Sequence, residues 1–387
     1  MIKSKFKNNV HVAHDGMFNF YEMLNMKTGE YVRTGVIYAD GSEREDPFMR
    51  QFPSLLDVGI MGGCSCSELC SVDCYQGRRR FNPDADMKLD DFKRIVDEGA
   101  DHGLMQIALG GAGNPNDHVN FEEILAYSRS RNIVPNYTTA GIGLTDEAVA
   151  ATKKYCGGVA VSWHTHVVNG QRVGNDYTVA ALEKLIEAGC STSVHYVLSR
   201  ESIADAIELL ETGTFPVVVD GQVTRRKFDV TAVVFLLYKP VGTGRQELVL
   251  TLDQDAGELR RFMNLVSSKL PFEIGFDSCT IPAVLAFNDR VDPQSTDTCE
   301  GGRFSAYISA DLVMVPCSFD QGHRWGVDLH ESTVAEAWES PKFVNFRSHL
   351  RTACLGCKSR ELCLGGCPVD QSVVLCTSGD RVRGDLV

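Results

Sequence analysis

The sequence predicts an α/β protein: a partial (β/α)6 barrel followed by a cysteine-rich C-terminal domain. Three observations carry this. Strand-like and helix-like segments alternate from about residue 55 to 240, the composition shifts near residue 271, and most of the fourteen cysteines fall into two groups. A chain of 387 residues exceeds one small core and calls for a large unit with an appendage.

Residues 1–52 read as a short extension with a hairpin over 21–38, turning at Thr28-Gly29. The first barrel strand is LLDVGIM, short and apolar, ending in glycines and running into cysteines. Helix 87–103 follows and closes on a glycine, as C-terminal caps prefer. Strand LMQIALGG, helix 119–131 and strand NIVPNYTT come next. Helix 145–155 opens on Thr145 as N-cap. Strand GGVAVSWHT, helix 178–189, strand STSVHYVLS and helix 201–213 continue the alternation. A polar insertion around GQVTRRK precedes the sixth strand, TAVVFLLYKP, and helix 256–270 follows. Such alternation means parallel strands with right-handed crossovers, and functional groups on loops at the strands' C-terminal ends. The expected division is an extension over 1–52, a barrel with its linking helix over 53–270, and a cysteine-rich unit over 271–387.

Hydrophobic residues at 43% and charged residues at 23% suit an ordinary globular chain. No stretch approaches the roughly 20 apolar residues that span a bilayer, and the N-terminus lacks the apolar core of a secretory signal. The expected location is the cytoplasm, without membrane association. A net charge of −13 argues against nucleic acid as a partner. Arg78-Arg79-Arg80 and Arg225-Arg226-Lys227 run against that balance and read as solvated faces. Fourteen cysteines in a reducing compartment point to metal binding or catalysis rather than disulfides. Cys156 and Cys190 stand alone beside strands and read as ordinary buried thiols.

Cys354, Cys357, Cys363 and Cys367 form C-x2-C-x5-C-x3-C, with Cys376 beyond and Cys279, Cys299 and Cys317 upstream. Eight thiols are the count for two four-iron clusters, and equally for two zinc sites. The N-terminal group, GIMGGCSCSELCSVDCYQG, holds Cys64, Cys66, Cys70 and Cys74 just past the first strand.

The segment from Cys317 to Pro368 resembles the SPASM domain of radical SAM maturases, which supports two auxiliary [4Fe–4S] clusters. The resemblance implies one cluster on Cys279, Cys299, Cys317 and Cys367, and another on Cys354, Cys357, Cys363 and Cys376. Relatives often carry a glycine five residues before the third cysteine, where this chain has Leu312. The N-terminal group is similar in place to the C-x3-C-x2-C of radical SAM enzymes, whose three thiolates leave one iron open for S-adenosylmethionine. Here the spacing differs: Cys66, Cys70 and Cys74 are the favoured ligands, with Cys64 a spare or an alternative first ligand. A fourth thiolate on the open iron would make an electron-transfer centre instead.

The resemblance further implies cofactor contacts from Gly110 and Gly111 in ALGGAGNP, with Asn114 standing where relatives have a glutamate. Ser162 is implied near the cofactor on strand four, where it alternates with His164 and His166 and so shares their face. His195 on strand five is a second inward histidine, and the YKPVGTG end of strand six resembles the family's adenine-side segment.

The resemblance thus implies three [4Fe–4S] clusters and cleavage of S-adenosyl-L-methionine to a 5′-deoxyadenosyl radical, which takes a hydrogen atom from a peptide. The outcome would be crosslinking or oxidation of a ribosomally made peptide. Eight cysteines for two clusters leave no open auxiliary iron, which implies outer-sphere electron transfer. A flavodoxin or ferredoxin would supply the electron, and leader recognition would be absent or supplied by a separate protein. Ser318, where sulfatase-maturing relatives have an aspartate, lowers that assignment. The alternatives are a non-catalytic iron–sulfur electron carrier, a radical SAM enzyme acting on a small molecule, and a zinc-stabilised α/β protein.

Overall fold

The structure is a computed structural model that describes residues 2–42, 46–66, 68–70, 72–77, 82–288, 296–350, 356–357, 360–373 and 375–376. Its first 33 residues make more than the expected hairpin: four antiparallel strands pair in the order β1 (Ile2–Lys7), β2 (Val10–Asp15), β3 (Phe20–Asn25) and β4 (Tyr31–Arg33). The expected hairpin is β3–β4, with Gly29 at φ +79° and Asn25 Oδ1 accepting the N–H groups of Lys27 and Thr28. The added pair turns at Asn8-Asn9, both at positive φ, as a tight hairpin demands. Strand β1 reads as a basic tail because Lys3, Lys5 and Lys7 sit on an exposed edge, where charge discourages further pairing.

This sheet is fastened through a buried ion pair. Arg50 Nε lies 2.6 Å from Glu22 Oε2, and the guanidinium also donates to the carbonyls of Phe52, Pro53 and Gly103. Trp338 Nε1 donates to the Arg50 carbonyl, so one arginine ties the N-terminal sheet, the barrel and the C-terminal unit.

The six expected barrel strands are all present as parallel neighbours. They are β5 (Leu55–Val58), β6 (Gln106–Leu109), β7 (Val134–Thr139), β8 (Val159–Ser162), then, beyond the hairpin β9 (Thr165–Val168) and β10 (Gln171–Gly174), β11 (Thr192–Leu198). The sixth, β14 (Ala232–Leu237), pairs with β11 after a second hairpin, β12 (Phe215–Val219) and β13 (Gln222–Arg226). That second hairpin is the polar insertion, and Arg225 pairs with Glu208 and Arg226 with Glu183 within the fold. Arg78, Arg79 and Arg80 lie outside the described residues.

Crossover helices are α1 (Leu89–Asp101), α2 (Phe121–Ser130), α3 (Asp146–Tyr155), α4 (Asp176–Glu187), α5 (Ile203–Thr212) and α6 (Leu252–Leu265). Thr145 caps α3 by accepting from Ala148 N, and α5 stops at Gly213, φ +65°. Alternate strand residues (Leu56, Val58, Ile107, Leu109, Val161, Val194, Phe235) are fully buried in the main core. The other face carries Asp57, Asn136, Thr138, Ser162 and His195.

One expectation about strand four fails. Strand β8 ends at Ser162, and His166 belongs to the separate β9–β10 hairpin, so Ser162, His164 and His166 do not share one strand face. The chain turns because His164 N donates to Ser162 O while Trp163 N donates to His195 O. The Trp163 ring then packs over Gly174, where a Cβ would collide with it.

The sheet continues past residue 271. Strand β15 (Glu273–Phe276) adds in parallel to β14, and after α7 (Ile281–Phe287), β16 (Ser305–Ile308) adds in parallel to β5 at the opposite edge. Strands β17 (Val313–Val315) and β18 (Val327–Asp328) extend that edge antiparallel. Helix α8 (Val334–Glu339) starts in a Thr333–Glu336 capping box, and Glu98 of α1 accepts the free N–H groups of Val334 and Ala335. Ser340 caps α9 (Pro341–His349), and α10 (Arg360–Cys363) ends on Cys363. Leu312 has φ +61° in the β16–β17 turn, the left-handed conformation that explains a glycine in relatives. Among the described residues no helix is long and apolar enough to cross a membrane.

Candidate metal centres and cofactor site

The loop leaving β5 presents its cysteines by local geometry. Cys70 N donates to Cys66 O, so one helical turn sets these thiols on the same side, and Cys74 follows four residues later. Gly62 N donates to Asp86 Oδ1 at the loop's base. At its far end Cys74 N donates to Thr243 Oγ1 (2.8 Å) and Thr243 N to Cys74 O (3.0 Å). Gly242, at φ +66°, packs so close to Cys74 O that a Cβ would collide. The YKPVGTG segment therefore clamps the cysteine loop.

Asn114 is buried and reaches this loop. Its Nδ2 donates to Cys66 Sγ (3.4 Å), and its Oδ1 accepts Ala140 N (2.8 Å) at the end of β7. Gly111, at φ +94°, packs on Gly59 and the Tyr307 hydroxyl, and a Cβ on Gly110 would meet nothing within 4 Å. The glycine loop thus leaves open space at Gly110. Cys70 Sγ lies 3.9 Å from His164 Nδ1, which is 3.3 Å from the Tyr177 hydroxyl. Ser162 ends its strand two residues before His164, with its carbonyl accepting from His164 N. Burial lowers the pKa of His164 and of His195 to about 4, so both are neutral at ordinary pH. Thr138 Oγ1 and His195 Nδ1 are 3.5 Å apart.

Cys64 and Cys66 share a hydrogen bond. It pulls the Cys66 thiol down to about 7 and pushes Cys64 up. Cys66 is thus poised to become a thiolate, the form that binds metal.

The C-terminal thiols are assembled from distant segments. Cys279 lies between β15 and α7, Cys299 before β16, Cys317 after β17 and Cys367 after α10. All four line one cavity of about 280 Å³, together with Cys363, Asp57, Lys239, Asp277, Tyr307 and Phe319. Burial pushes the Cys299 thiol up to about 11 and raises Cys279, Cys317 and Cys367 as well. Four thiols around one cavity, with no disulfide among the described cysteines, need a cation before they can ionise. Among the described residues no three of His, Cys, Asp or Glu converge as they would around a single ion. The thiols ring a space, a donor set that a thiolate-bound cluster would use. Of the second set, Cys357, Cys363 and Cys376 are half-buried, and Cys354 lies outside the described residues.

Sequence reasoning missed the Lys239–Asp277 pair, Thr243, Tyr177, Tyr307 and Asp57. Asp57 had a signal: it is the one charged residue in the apolar run LLDVGIM, and burial pushes its carboxyl up to about 7. Cys156 and Cys190 are half-buried away from either group, with burial raising both thiols.

Comparison with known proteins adds three findings. Residues 299–359 match SPASM, an iron–sulfur cluster-binding domain. The chain is 27% identical over 134 residues to the PqqA peptide cyclase of Granulibacter bethesdensis, covering 33% of this chain and 35% of that protein. The match therefore spans about a third of the curated relative's length. Among solved structures, Streptococcus suis SuiB bound to precursor peptide SuiA superposes with a TM-score of 0.67 at 15% identity, covering 97% of this chain and 99% of SuiB. Native anSMEcpe with bound AdoMet and Cp18Cys peptide gives a TM-score of 0.57 at 15% identity, covering 83% and 90%. These likenesses agree with the architecture above: a parallel α/β sheet with an iron–sulfur domain at its C-terminal end.

Proposed function

From the premise of a radical SAM-type barrel carrying a SPASM domain, we propose that this chain is an enzyme that cleaves S-adenosylmethionine and takes a hydrogen atom from a peptide. The observation that carries the proposal is the β5 loop: Cys66, Cys70 and Cys74 four residues apart, with Asn114 from the next strand's loop donating to Cys66. When bound, a cluster on these thiolates with S-adenosylmethionine supplies a 5′-deoxyadenosyl radical by one-electron cleavage.

The chain's own residues orient and enclose that chemistry. Cys66, Cys70 and Cys74 are the ligands we assign, and Cys64 holds Cys66 by a hydrogen bond. Asn114, Gly110, Gly111 and Ser162 are assigned to the cofactor: Gly110 borders open space, Asn114 is oriented by Ala140 and reaches Cys66, and Ser162 follows from the family resemblance. Thr243 and Gly242 keep the loop closed against the barrel. Asp57, facing the shared cavity with a raised pKa, is able to accept a proton near neutral pH.

Cys279, Cys299, Cys317 and Cys367 are assigned to one auxiliary cluster, and Cys354, Cys357, Cys363 and Cys376 to another, making three [4Fe–4S] clusters in all. We divide the chain into an extension (1–52), a barrel (53–270) and an auxiliary-cluster unit (271–387), with β15 and β16 carrying the sheet across the last boundary. The substrate we assign is a ribosomally made peptide that becomes crosslinked or oxidised. The relative is named a peptide cyclase, and both solved structures were obtained with a peptide bound. A flavodoxin or ferredoxin as reductant, a separate leader-binding protein and a cytoplasmic location complete the reading.

One observation favours a second reading. Cys64 reaches Cys66, and a fourth thiolate on the first cluster would close it to S-adenosylmethionine and leave an electron carrier. The test is anaerobic reconstitution, iron counting, and assay of 5′-deoxyadenosine after dithionite reduction with S-adenosylmethionine. The enzyme binds about twelve irons per chain, four per cluster, and forms 5′-deoxyadenosine. Iron without cleavage supports the carrier. Zinc in place of iron overturns both.

A further inference from the structure

Lys239 stands two residues beyond β14 and is 7% exposed. Its Nζ donates to Asp277 Oδ2 (2.6 Å) and to Leu237 O (2.9 Å), and lies 4.4 Å from the centre of the Phe319 ring. A buried ion pair contributes little to stability, since desolvation offsets most of the attraction, and apolar residues would fill the space as well. The pair therefore calls for another explanation. It makes no contact with the β5 loop in its hydrogen bonds, but both members line the cavity ringed by Cys279, Cys299, Cys317 and Cys367.

Among the described residues that line this cavity Lys239 is the only lysine, arginine or histidine, beside the acids Asp57, Asp277 and Glu300. Asp277 is itself held by other donors: Oδ1 accepts Thr280 N and Oγ1, and Oδ2 accepts Leu237 N. The carboxylate thus anchors both the ammonium and the β15–α7 turn.

We infer that Lys239 is a tuning charge that raises the reduction potential of the cluster held by Cys279, Cys299, Cys317 and Cys367. This rests on the cluster assignment above. One-electron reduction adds a negative charge to a thiolate-bound cluster, and a fixed cation in a low-dielectric cavity favours that charge. Lys239 acts through the cluster and touches no reacting atom.

The test is a redox titration of the full-length reconstituted protein, with dithionite supplying the electron and electron paramagnetic resonance reading each cluster. Lys239→Met should weaken reduction of one cluster at least tenfold, about 59 mV for one electron, and leave the other two unchanged. Asp277→Asn should shift the same cluster the opposite way. Lys239→Arg should stay within about threefold of the wild type, since it keeps the charge. Should Lys239→Met fail to fold, Lys239→Gln removes the same charge while keeping a donor for Leu237 O, and should lower the potential in the same direction. Shifts of the same sign on removing Lys239 and Asp277, or full iron content with no shift, overturn the tuning role while the cluster assignment stands. A wild type that binds no iron overturns both.

Discussion

The two cysteine groups are built in opposite ways. The first is local: four thiols within eleven residues of one loop, with Cys66 held near a pKa of 7 by its neighbour. The second is long-range: four thiols from segments nearly ninety residues apart in sequence, all lining one cavity and all pushed upward. A local loop can stay open to a ligand without involving the core. A group gathered from across the chain can be filled only when the fold is complete, so metal there acts as a staple. The first group is suited to exchange with a cofactor and the second to permanence.

The largest effect that would break this contrast comes from single ligands. Cys317→Ala should cost on the order of 3 kcal/mol or more of stability, because a structural cluster contributes to folding. Cys70→Ala should leave the melting temperature within a few degrees while abolishing 5′-deoxyadenosine formation. Thermal melts and iron counts of both variants check this, and equal destabilisation by the two would erase the distinction.

Next in size is the anchor that holds the N-terminal sheet to both units. Arg50→Met strands Glu22 as a buried carboxylate beside Tyr31 and Ser54 and should cost about 3–5 kcal/mol in urea unfolding. Asn114→Ala sharpens the contrast from the other side. It should weaken iron binding at the β5 loop by roughly 10–100-fold, the usual cost of a lost supporting contact, and leave the auxiliary irons in place.

The smallest effect depends on pH. The Asp57 carboxyl is raised to about 7 in the folded chain from 3.8, so the native state holds a proton that the unfolded chain has released between those values. Its contribution to stability is therefore present at pH 4 and lost as pH rises through 7. Asp57→Asn should be more stable than the wild type by roughly 1–2 kcal/mol at pH 8, with the gap closing at pH 4, once solvent reaching the cavity is allowed for. A gap that widens in acid contradicts that environment.

Much of the barrel was legible because its strands are short apolar runs bounded by glycine, and its helices carry ordinary start and stop residues such as Thr145 and Gly213. Strand β8 misled because alternation continues through Ser162, His164 and His166, whereas a turn at Trp163, visible only once Gly174 packs beneath the ring, breaks the strand. Strand β1 hid behind its lysines, and β15 is too short and mixed to stand out, being recruited by pairing with β14. Cysteine spacing was legible, yet Lys239 and Asp277 lie 38 residues apart and meet only because β14 and β15 are neighbours. Leu312 marks the converse case, where an unusual residue at an expected glycine kept the glycine's backbone conformation.

The most direct test of the central claim is electron paramagnetic resonance of the dithionite-reduced protein before and after adding S-adenosylmethionine, in wild type and Cys70→Ala. One of three cluster signals should shift on addition in the wild type, and Cys70→Ala should lack that signal while keeping the other two. Signals that ignore S-adenosylmethionine in the fully reconstituted wild type would contradict an open cluster on the β5 loop.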